Sequence, residues 1–465
     1  MSSEQGFVHP YIPNAAVAPR RRILEAIGVD GVEAVYDSIP SELRLGRPLD
    51  LPSPIRGEQQ LRRHVEQLLR KNAHCGEYLS FLGGGCWPHY VPAVCDEIAS
   101  RGEFLTAYGA WPYSDHGKYQ ALFEYQSLVG ELVGMEVVTA PTYDAGCAAG
   151  SGLLMACRLT GRSKILVSAT IGADRLSQLR GFTRPVAQLV PVARDPVTGL
   201  LDLNDLEAKL SAEVAAVYFE VPSYLGVIET EAPAIIRLGH CYGAMAVVGV
   251  DPSSLGVLAP PGDYGADIAV GGLQPLGIHM QGGGGSAGFI ACRDEARVVA
   301  ELPTYLISIV PTLEGDGFGF GVSTMERTSY DKREAATDYY GTTQWLWGIT
   351  AGVYLSLMGA RGMAELGTGI MRRSQYAAKR LGRIPGVAAP KLRAPFFKEF
   401  VVGFDGTGKT VAEINRQLLD GGIFGGRPLN KEFREMGESA LYCVTELHSQ
   451  ADIDRLAAQI EEILR

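Results

Sequence analysis

Two amphipathic stretches occupy the start of the chain. Residues 19–51 have a short helical pattern followed by a polar connection rich in proline. Apolar positions then recur at helical spacing from about residue 58 to residue 71. Together these patterns predict an N-terminal helical arm, which we assign to residues 1–75.

The middle of the chain alternates short apolar runs with helical patterns. Residues 118–135 carry apolar residues at helical spacing and predict an amphipathic helix, whereas residues 164–169, 214–221 and 244–250 are β-type runs. Such alternation is typical of a mostly parallel sheet that is covered by helices on both faces. We therefore predict a large α/β domain over residues 76–340.

The pattern changes from about residue 341. A long apolar helix is predicted over residues 344–362 and continues through residues 372–384. The last hundred residues alternate strand patterns with helices, and the final helix follows Ser449, a plausible N-cap. These patterns predict a smaller C-terminal α+β domain over residues 341–465.

The composition is that of an ordinary globular protein. The chain has 465 residues, 46% hydrophobic and 20% charged, which is enough to bury a large core. Its formal net charge is -10 with no basic block, which argues against nucleic acid as a partner because phosphate binding needs a basic stripe. No apolar run approaches the ~20 residues that cross a bilayer, and no basic-then-apolar segment opens the sequence. We therefore expect a cytoplasmic protein that does not bind a membrane.

The cysteines are scattered singly along the sequence, without a C-x2-C pair. This distribution favours buried, reduced thiols over a redox or metal site. The cysteines are Cys75, Cys86, Cys95, Cys147, Cys157, Cys241, Cys292 and Cys443.

Turn-forming residues follow several of the predicted strands. Asp251 comes directly after the run 244–250, and residues 271–275 end another short apolar run. In open α/β sheets the ligand crevice lies at the carboxyl ends of the strands, so these elements are candidates for a site. A glycine-rich and aromatic loop at residues 81–92, FLGGGCWPHYVP, either brings the backbone close to a ligand or is a structural turn packed by its own aromatic side chains.

Part of this arrangement matches what a pyridoxal-phosphate site requires. Such a site needs a helix N-terminus for the phosphate, an acid for the pyridine nitrogen, a group that stacks on the ring and a lysine for the Schiff base. A glycine-containing turn at residues 144–150 opens a predicted helix, and Asp251 follows a buried strand. No lysine occurs in residues 210–331, the window in which such folds place it after the strand-end aspartate. The chain by itself is therefore not expected to carry out this chemistry.

Several longer motifs resemble a known family. The most specific are FLGGGCWPHYVP and the segment GADIAVGGLQPLGIHMQGGGGSAGF at residues 265–289. In this order the motifs resemble subunit 1, the N-terminal half, of glycine dehydrogenase (decarboxylating), the P-protein of the glycine cleavage system, over nearly the whole chain. The other matching segments are HPYIPN (9–14), ELRLGRPLDLPSP (42–54), EFLTAY (103–108), YQALFEYQSLVGELVGMEV (119–137) and KREAAT (332–337).

The resemblance implies a fold and explains the missing lysine. The implied fold is the α/β fold of the fold-type-I pyridoxal-phosphate-dependent transferases, which resemble aminotransferases and have a mostly parallel central sheet. In this family the Schiff-base lysine belongs to subunit 2, in a motif like D-V-x-H-x-N-L-H-K-T. When Asp267 is placed on the aspartate of that motif, Gln274 falls on its histidine and Pro275 on its lysine.

The resemblance also implies the reaction and the partners. The chain would be the non-lysine subunit of a heteromeric glycine decarboxylase, an oxidoreductase that acts on CH-NH2 groups with a disulfide acceptor and is inactive as a lone chain. Carbon dioxide is released from glycine, and the aminomethyl group passes to the lipoyl group of H-protein. Subunit 2, in a heterodimer or an α2β2 heterotetramer, would bind the pyridoxal 5'-phosphate covalently.

Two groups of residues are implied as the contribution of this chain. The first shapes the active-site mouth and the lipoyl entry, through the loops 81–90 and 106–116. Its members are Phe81, His89, Tyr90, Thr106, Tyr108 and His116. The second group is a vestigial cofactor-like pocket formed by Asp144, Gly146, Asp251 and Gln274. No catalytic residue of its own and no metal site are expected in this chain.

The sequence departs from the family pattern near the expected site. Residues 106–117 are TAYGAWPYSDHG, whereas the family usually continues T-A-Y with T-P-Y-Q-P-E-I-S-Q-G, and residues 143–152 and 315–328 also differ. These differences leave a second hypothesis open, a divergent paralogue that acts with a partner subunit on another small amino acid. A third hypothesis is a non-catalytic pseudoenzyme that serves as a scaffold.

Overall fold

The structure is a computed structural model that describes residues 11–105, 116–284, 286–304, 306–323, 325–336, 338, 340 and 343–465. It divides into two compact units, Met1–Asn72 and Ala73–Arg465. The described helices are α1 (Val17–Ile27), α2 (Glu58–Leu69), α3 (Ala93–Ala99), α4 (His116–Val133), α5 (Ala145–Thr160), α6 (Ala173–Thr183), α7 (Leu203–Lys209), α8 (Ala232–Cys241), α9 (Ala296–Val299), α10 (Trp345–Leu381), α11 (Val411–Asp420) and α12 (Gln450–Leu464). The described strands are β1 (Leu79–Ser80), β2 (Val137–Val138), β3 (Lys164–Ser168), β4 (Gln188–Val192), β5 (Val214–Val221), β6 (Met245–Val250), β7 (Ile268–Gly272), β8 (Gly288–Cys292), β9 (Ile307–Pro311), β10 (Phe318–Val322), β11 (Glu399–Gly403), β12 (Ile423–Phe424), β13 (Arg427–Pro428) and β14 (Ser439–Cys443).

The first unit contains the helices α1 and α2, so the helical patterns predicted here are confirmed. Helix α1 ends at Gly28, whose φ of 74° gives the left-handed C-cap that glycine favours. None of the described residues 11–72 is buried, and the apolar stripe of α2, which includes Leu61, Val65 and Leu68, is exposed. The described part of this unit therefore has no hydrophobic core of its own.

A seven-stranded sheet in the described part of the second unit has the order β2-β8-β7-β6-β5-β3-β4. The strands β7, β6, β5, β3 and β4 run parallel, and β8 pairs antiparallel with both β7 and β2. Apolar side chains of α4 and α8 pack on one face, and those of α5 and α6 pack on the other. This is the mostly parallel, doubly covered sheet that the apolar runs predict.

Helix α5 begins earlier than its sequence predicts. The glycine-containing segment predicted as a turn forms the first turns of the helix, which starts at Ala145. A Cβ at Gly146 would overlap the side chain of Gln178, and a Cβ at Gly150 would overlap Phe182, both on α6. The glycines therefore allow close packing of two helices rather than a sharp turn.

The small sheet lies near the C-terminus. The long helix predicted after residue 341 is α10, which bends at Gly359, where φ is 58°. After it, β11, β14 and β13 form an antiparallel sheet that packs against α11 and α12. Both of these helices begin with capping boxes, at Thr410 and Ser449. The predicted helix behind Ser449 is confirmed as α12, and the predicted alternation of strands with helices is confirmed by β11, α11, β14 and α12.

The glycine-rich loop (residues 81–92) begins beside the small sheet. Strand β1 pairs in parallel with β12. The Cys443 N–H donates to the Phe81 carbonyl oxygen at 2.9 Å, and Leu82 forms an isolated bridge with Tyr442. The start of this loop is therefore fixed by backbone hydrogen bonds.

The second unit, Ala73–Arg465, holds both the large and the small sheet. The division into residues 1–75, 76–340 and 341–465 therefore stays a prediction. Among the helices of the described ranges, none combines the length and the apolar character that a bilayer crossing requires. The cytoplasmic location stays a prediction as well.

Candidate functional site

A cavity of about 600 Å³ lies at the carboxyl ends of β5, β6 and β7. Its walls are completed by the N-termini of α5 and α6, the glycine-rich loop and the small sheet. The edge of the sheet on which it opens is the one where open α/β folds bind ligands. The charged side chains in its lining are Asp144, Asp174, Arg175, Glu220, Asp251, Lys398, Glu399 and Arg427.

The floor of the cavity is a buried ion pair between Asp251, which follows β6, and Lys398, which precedes β11. Lys398 Nζ lies 2.7 Å from Asp251 Oδ2. The other carboxylate oxygen, Oδ1, accepts hydrogen bonds from the N–H and the O–H of Ser253 at 3.0 and 2.7 Å. The side chains of Asp251 and Lys398 are only 8% and 2% exposed, so the two charges neutralise each other away from water.

The Lys398 ammonium has an acceptor for each of its three protons. Besides Asp251, it lies 3.0 Å from His89 Nε2 and donates to Ser253 Oγ at 3.2 Å. Its Nζ is also 3.4 Å from the centre of the Trp87 ring, a cation–π contact. An ammonium group has no acceptor atom, so His89 Nε2 must accept this hydrogen bond and His89 Nδ1 must carry the ring proton.

His89 links the ion pair to a second carboxylate. His89 Nδ1 lies 2.9 Å from Glu446 Oε2, and Glu446 Oε1 accepts the Tyr90 N–H at 2.7 Å. Burial opposes the ionisation of Glu446, but its interactions with His89 and Tyr90 outweigh burial and lower its pKa to about 2. We call Asp251, Lys398, His89 and Glu446 the Lys398 network; it ties the glycine-rich loop to both sheets.

Glu399, next to Lys398, holds the glycines of this loop. The Gly84 N–H donates to Glu399 Oε1 at 2.6 Å. A Cβ at Gly83 would overlap the same carboxylate, and Gly84 has a φ of 103°, which side chains rarely adopt. Burial raises the pKa of Glu399 to about 7, although the charge of Lys398 acts in the opposite direction. These glycines are therefore required because the loop backbone passes close to the Glu399 carboxylate.

Gln274 and Pro275 stand on the cavity wall after β7. Gln274 Oε1 accepts the Trp87 N–H at 3.2 Å, and its Nε2 donates to the carbonyl oxygens of Trp87 at 3.0 Å and Ile278 at 3.2 Å. Gln274 thus fixes the backbone of the glycine-rich loop. Pro275 offers no amine at the position that the family motif gives to the lysine.

The N-terminus of α5 is closed by a carboxylate. Asp144 Oδ1 accepts the Cys147 N–H at 2.7 Å, and Asp144 Oδ2 accepts a hydrogen bond from Gln178 Nε2 at 3.2 Å. Beside it, Arg175 Nη1 lies 3.4 Å from Glu220 Oε1. A phosphate at this helix end would be repelled by Asp144 and would compete with it for the Cys147 amide.

These residues do not fit a pyridoxal phosphate bound covalently to this chain. The acid Asp251 is already paired with Lys398, the helix end carries Asp144, and Pro275 stands on the cavity wall after β7, where it offers no amine. Lys398 does place an amine inside the cavity, which the lysine-free window did not predict. Its nitrogen is a buried, ion-paired ammonium, however, and an imine forms only from the free amine. The absence of lysine from residues 210–331 therefore did not exclude an amine from the cavity, because Lys398 reaches it from a distant part of the chain.

The residues predicted for the vestigial pocket do come together. They all line the cavity along with Pro275: Asp144, Gly146, Asp251 and Gln274. The structure thus assembles this group from the ends of three elements that are far apart in the sequence.

The residues predicted at the active-site mouth are described only in part, and their role there stays a prediction. His89 is buried in the Lys398 network, and Phe81 is buried in the hydrophobic core beside the small sheet, with its ring centre 4.6 Å from that of His448. Tyr90 is 61% exposed. Thr106 and Tyr108 lie outside the described residues.

His116 is the first residue of α4, and its side chain also lies outside the described part of the chain. The same holds for most of the altered segment 106–117. The role predicted for His116 therefore stays a prediction.

Lys398, Glu399 and Glu446 are among the site residues that the sequence patterns missed. Lys398 and Glu399 interrupt the apolar segment FFKEFVV at residues 396–402. Two adjacent charges in such a run are a signal of buried partners elsewhere in the fold. Glu446 gives no comparable signal, because it lies in the turn that follows β14.

The fold is that of a known class of enzymes. A sphingosine-1-phosphate lyase of Burkholderia pseudomallei superposes with a TM-score of 0.65 at 13% identity, over 92% of this chain and 94% of that one. At this level of identity the likeness shows the fold alone. The chain has the α/β fold of the fold-type-I pyridoxal-phosphate-dependent enzymes, which confirms the predicted fold class.

More similar proteins define the family. The pattern of the family "Glycine cleavage system P-protein" matches residues 9–460. A protein of Staphylothermus marinus named probable glycine dehydrogenase (decarboxylating) subunit 1 is 37% identical over 98% of each chain. A crystal structure of glycine decarboxylase (P-protein) of the glycine cleavage system, in inhibitor-bound form, matches with a TM-score of 0.86 at 33% identity, over 98% of this chain and 100% of that one. The chain belongs to the glycine cleavage system P-protein family, as its motifs predict.

Proposed function

We propose that this chain is the non-lysine subunit of a heteromeric glycine decarboxylase, glycine dehydrogenase (aminomethyl-transferring). Together with subunit 2 it would release carbon dioxide from glycine and pass the aminomethyl group to the lipoyl group of H-protein. The observation that carries this proposal is the cavity, which keeps the strand-end Asp251 of a cofactor site but has Pro275 in place of the lysine. Membership of the P-protein family, with a relative named subunit 1, supports the same division of labour.

In this proposal the cofactor belongs to the partner. Subunit 2 would hold the pyridoxal 5'-phosphate through its own lysine, in an αβ or α2β2 assembly. This chain would line the mouth of that site and the lipoyl entry with the loops 81–90 and 106–116. Among the described mouth residues, Tyr90 is the exposed one, so it is the side chain best placed to meet a partner.

The division of labour is tested by comparing this chain alone, subunit 2 alone and their mixture, each with lipoylated H-protein. We expect exchange of labelled bicarbonate into the carboxyl group of glycine from the mixture only. After borohydride reduction, mass spectrometry should find the pyridoxyl group on subunit 2 and not on this chain. Substantial exchange by the lone chain, or a pyridoxyl group on one of its lysines, would refute the proposal.

The contribution of the mouth is tested with Tyr90→Ala in the mixture. We expect the exchange rate to fall by roughly ten-fold, about 1.4 kcal/mol of transition-state stabilisation. The matched control is Tyr242→Ala, which removes another exposed tyrosine, at the end of α8. Equal rates for the two variants would show that Tyr90 does not contribute to the shared site.

The altered segment 106–117 favours a second candidate, a paralogue that acts with a partner on another small amino acid. A panel of small amino acids, assayed for carbon dioxide release by the mixture, separates the two candidates. An active mixture that ignores glycine but decarboxylates another member of the panel would select the paralogue.

A further inference from the structure

Lys398, beside the small sheet, is paired with Asp251, which follows a strand of the large sheet. A cofactor site of this fold requires that carboxylate to be available. Asp251 follows β6 of the large sheet, Lys398 precedes β11 of the small sheet, and their charged atoms are 2.7 Å apart. Asp251 Oδ1 is occupied by Ser253 and Asp251 Oδ2 by Lys398. A positively charged ring could pair with this carboxylate only by displacing the ammonium.

The Lys398 ammonium also contacts side chains of the glycine-rich loop. A charge is tolerated in a protein interior when its sign is neutralised and its protons all have acceptors. Lys398 meets both conditions through Asp251, Ser253 and His89, and the face of Trp87 covers it. Because His89 and Trp87 belong to the loop, the ammonium contacts two of the loop's side chains at once.

We propose that Lys398 is an internal replacement for the positively charged ring of the cofactor. It neutralises Asp251 and, through Trp87 and His89, positions residues 83–90 of the glycine-rich loop with no cofactor bound. Lys398 is thus a positioning residue. The inference concerns the lone chain, so its tests are independent of the proposed function.

A double-mutant cycle on the lone chain tests whether Lys398 neutralises Asp251. Lys398→Met leaves Asp251 buried without a counter-charge, and Asp251→Asn leaves the ammonium unpaired, so each variant should lower Tm by several degrees. The double variant K398M/D251N removes both charges and should recover a large part of the combined loss. Strictly additive losses, or a double variant that fails to fold, would overturn the proposal.

A second Lys–Asp pair provides the matched control. Lys391 Nζ also lies 2.7 Å from an aspartate, Asp405 Oδ2, but these side chains are 26% and 55% exposed. Lys391 Nζ also donates to the Met436 carbonyl oxygen and to Ser439 Oγ, and Asp405 Oδ1 accepts the Glu438 N–H. Water can reach the groups left behind, so Lys391→Met and the double variant K391M/D405N should lower Tm less than the corresponding changes at the Lys398 pair. Equal losses at the two pairs would show that the Lys398 pair has no special place in the fold, which contradicts the proposal.

Cys86 reports directly on the position of the loop. It is half-buried between Gly85 and Trp87; burial raises the pKa of its thiol and the charge of Lys398 lowers it. Loss of that charge alone would slow alkylation, whereas release of the loop would speed it. We expect iodoacetamide to modify Cys86 roughly five-fold or more faster in K398M, measured by peptide mass spectrometry.

Two comparisons make this readout specific. The buried Cys443 on β14 should stay unmodified in K398M, and Cys86 should keep its original rate in K391M. An unchanged or slower rate for Cys86 in K398M would show that Lys398 does not position the loop.

Chemical rescue separates charge from volume. Lys398→Ala removes a fragment with the shape of n-propylammonium, so this cation at millimolar concentration should raise the Tm of the variant and slow the alkylation of Cys86. The neutral n-propanol has a similar shape and should do neither. Equal rescue by both compounds, or rescue by neither, would contradict the proposal that the positive charge of Lys398 positions the loop.

Discussion

The floor of the cavity and the N-terminus of α5 are closed by side chains of opposite charge. A cofactor site of this fold needs a free acid at the floor and room for an anionic phosphate at the helix end. Here the floor holds an ammonium, Lys398, and the helix end holds a carboxylate, Asp144. Each end thus carries the charge that the cofactor itself would bring. The charges at both ends of the cavity, and not only the absence of a lysine after β7, therefore disfavour a cofactor bound to this chain.

The two ends differ in how deeply their charges are buried. Lys398 and Asp251 are almost fully enclosed between two sheets, whereas Asp144 caps a helix at the half-buried rim of the cavity. Breaking a buried pair leaves an uncompensated charge, but removing a cap at the rim leaves an amide that water can reach. Breaking the Asp251–Lys398 pair should therefore cost more stability than removing the Asp144 cap.

The largest effect is expected for Asp251→Ala at the floor. The variant leaves the Lys398 ammonium buried without its counter-charge, so the free energy of unfolding should fall by about 3–5 kcal/mol. Urea denaturation of the lone chain measures this loss. Asp405→Ala, which breaks the less buried Lys391 pair and the hydrogen bond from the Glu438 N–H, should cost less, about 1 kcal/mol. A loss of similar size in both variants would remove the difference between a buried and an exposed pair.

A pH-dependent effect is expected from Glu399, also at the floor. Its pKa is about 7 in the folded chain, above the ordinary value of 4.5, so the folded state keeps a proton that the unfolded chain releases. Glu399 therefore lowers the free energy of unfolding by up to about 3 kcal/mol as pH rises from 4.5 to about 7. Above that range its contribution changes little.

Glu399→Gln tests this trend, because the amide still accepts from Gly84 and has no charge to lose. Between pH 5 and pH 8 the free energy of unfolding should fall less with rising pH in the variant than in the original chain. At pH 8 the variant should be the more stable of the two. The pKa of Glu446 is lowered to about 2, so its contribution is complete above pH 4.5 and stays outside this window. Identical pH profiles for the two chains would contradict the buried carboxyl assigned to Glu399.

A smaller effect is expected for Asp144→Ala at the helix end. The variant loses the N-cap of α5 and its hydrogen bond from Cys147, which should cost about 1 kcal/mol. Asp144→Ser keeps a capping oxygen without the charge and should stay within about 0.5 kcal/mol of the original chain. Thermal unfolding compares the two variants. A loss from Asp144→Ala as large as that from Asp251→Ala would reverse the order of the two ends.

The smallest effect is expected for Gly146→Ala in the first turn of α5. The new Cβ displaces the end of the Gln178 side chain and weakens its exposed hydrogen bond to Asp144, but alanine favours the helix, so the net change should stay within about 0.5 kcal/mol. Gly150→Ala meets the ring of Phe182 instead and should cost about 1–3 kcal/mol. If Gly146→Ala proves the more harmful of the two, then Gln178 is held more rigidly than its contacts suggest.

Much of the fold of the second unit could be predicted from local patterns. The buried runs of β5 and β6, the long α10 and the capped α12 follow from apolar spacing and capping residues, which are properties of neighbouring positions. The start of α5 could not, because its glycines are explained only by the side chains of α6. The burial of Phe81 and His89 likewise depends on the packing of the small sheet, whereas their place at an active-site mouth stays a prediction.

By itself the sequence determined the family, the strand-end Asp251 and the absence of a lysine where the cofactor needs one, since motifs and residue types can be counted along a chain. Only the tertiary structure decided what fills the site. Lys398 reaches Asp251 because the start of β11 lies beside the end of β6, and Glu446 reaches His89 because the turn after β14 lies beside the glycine-rich loop. An ion pair of this kind depends on separation in space, about which spacing along the chain carries no information.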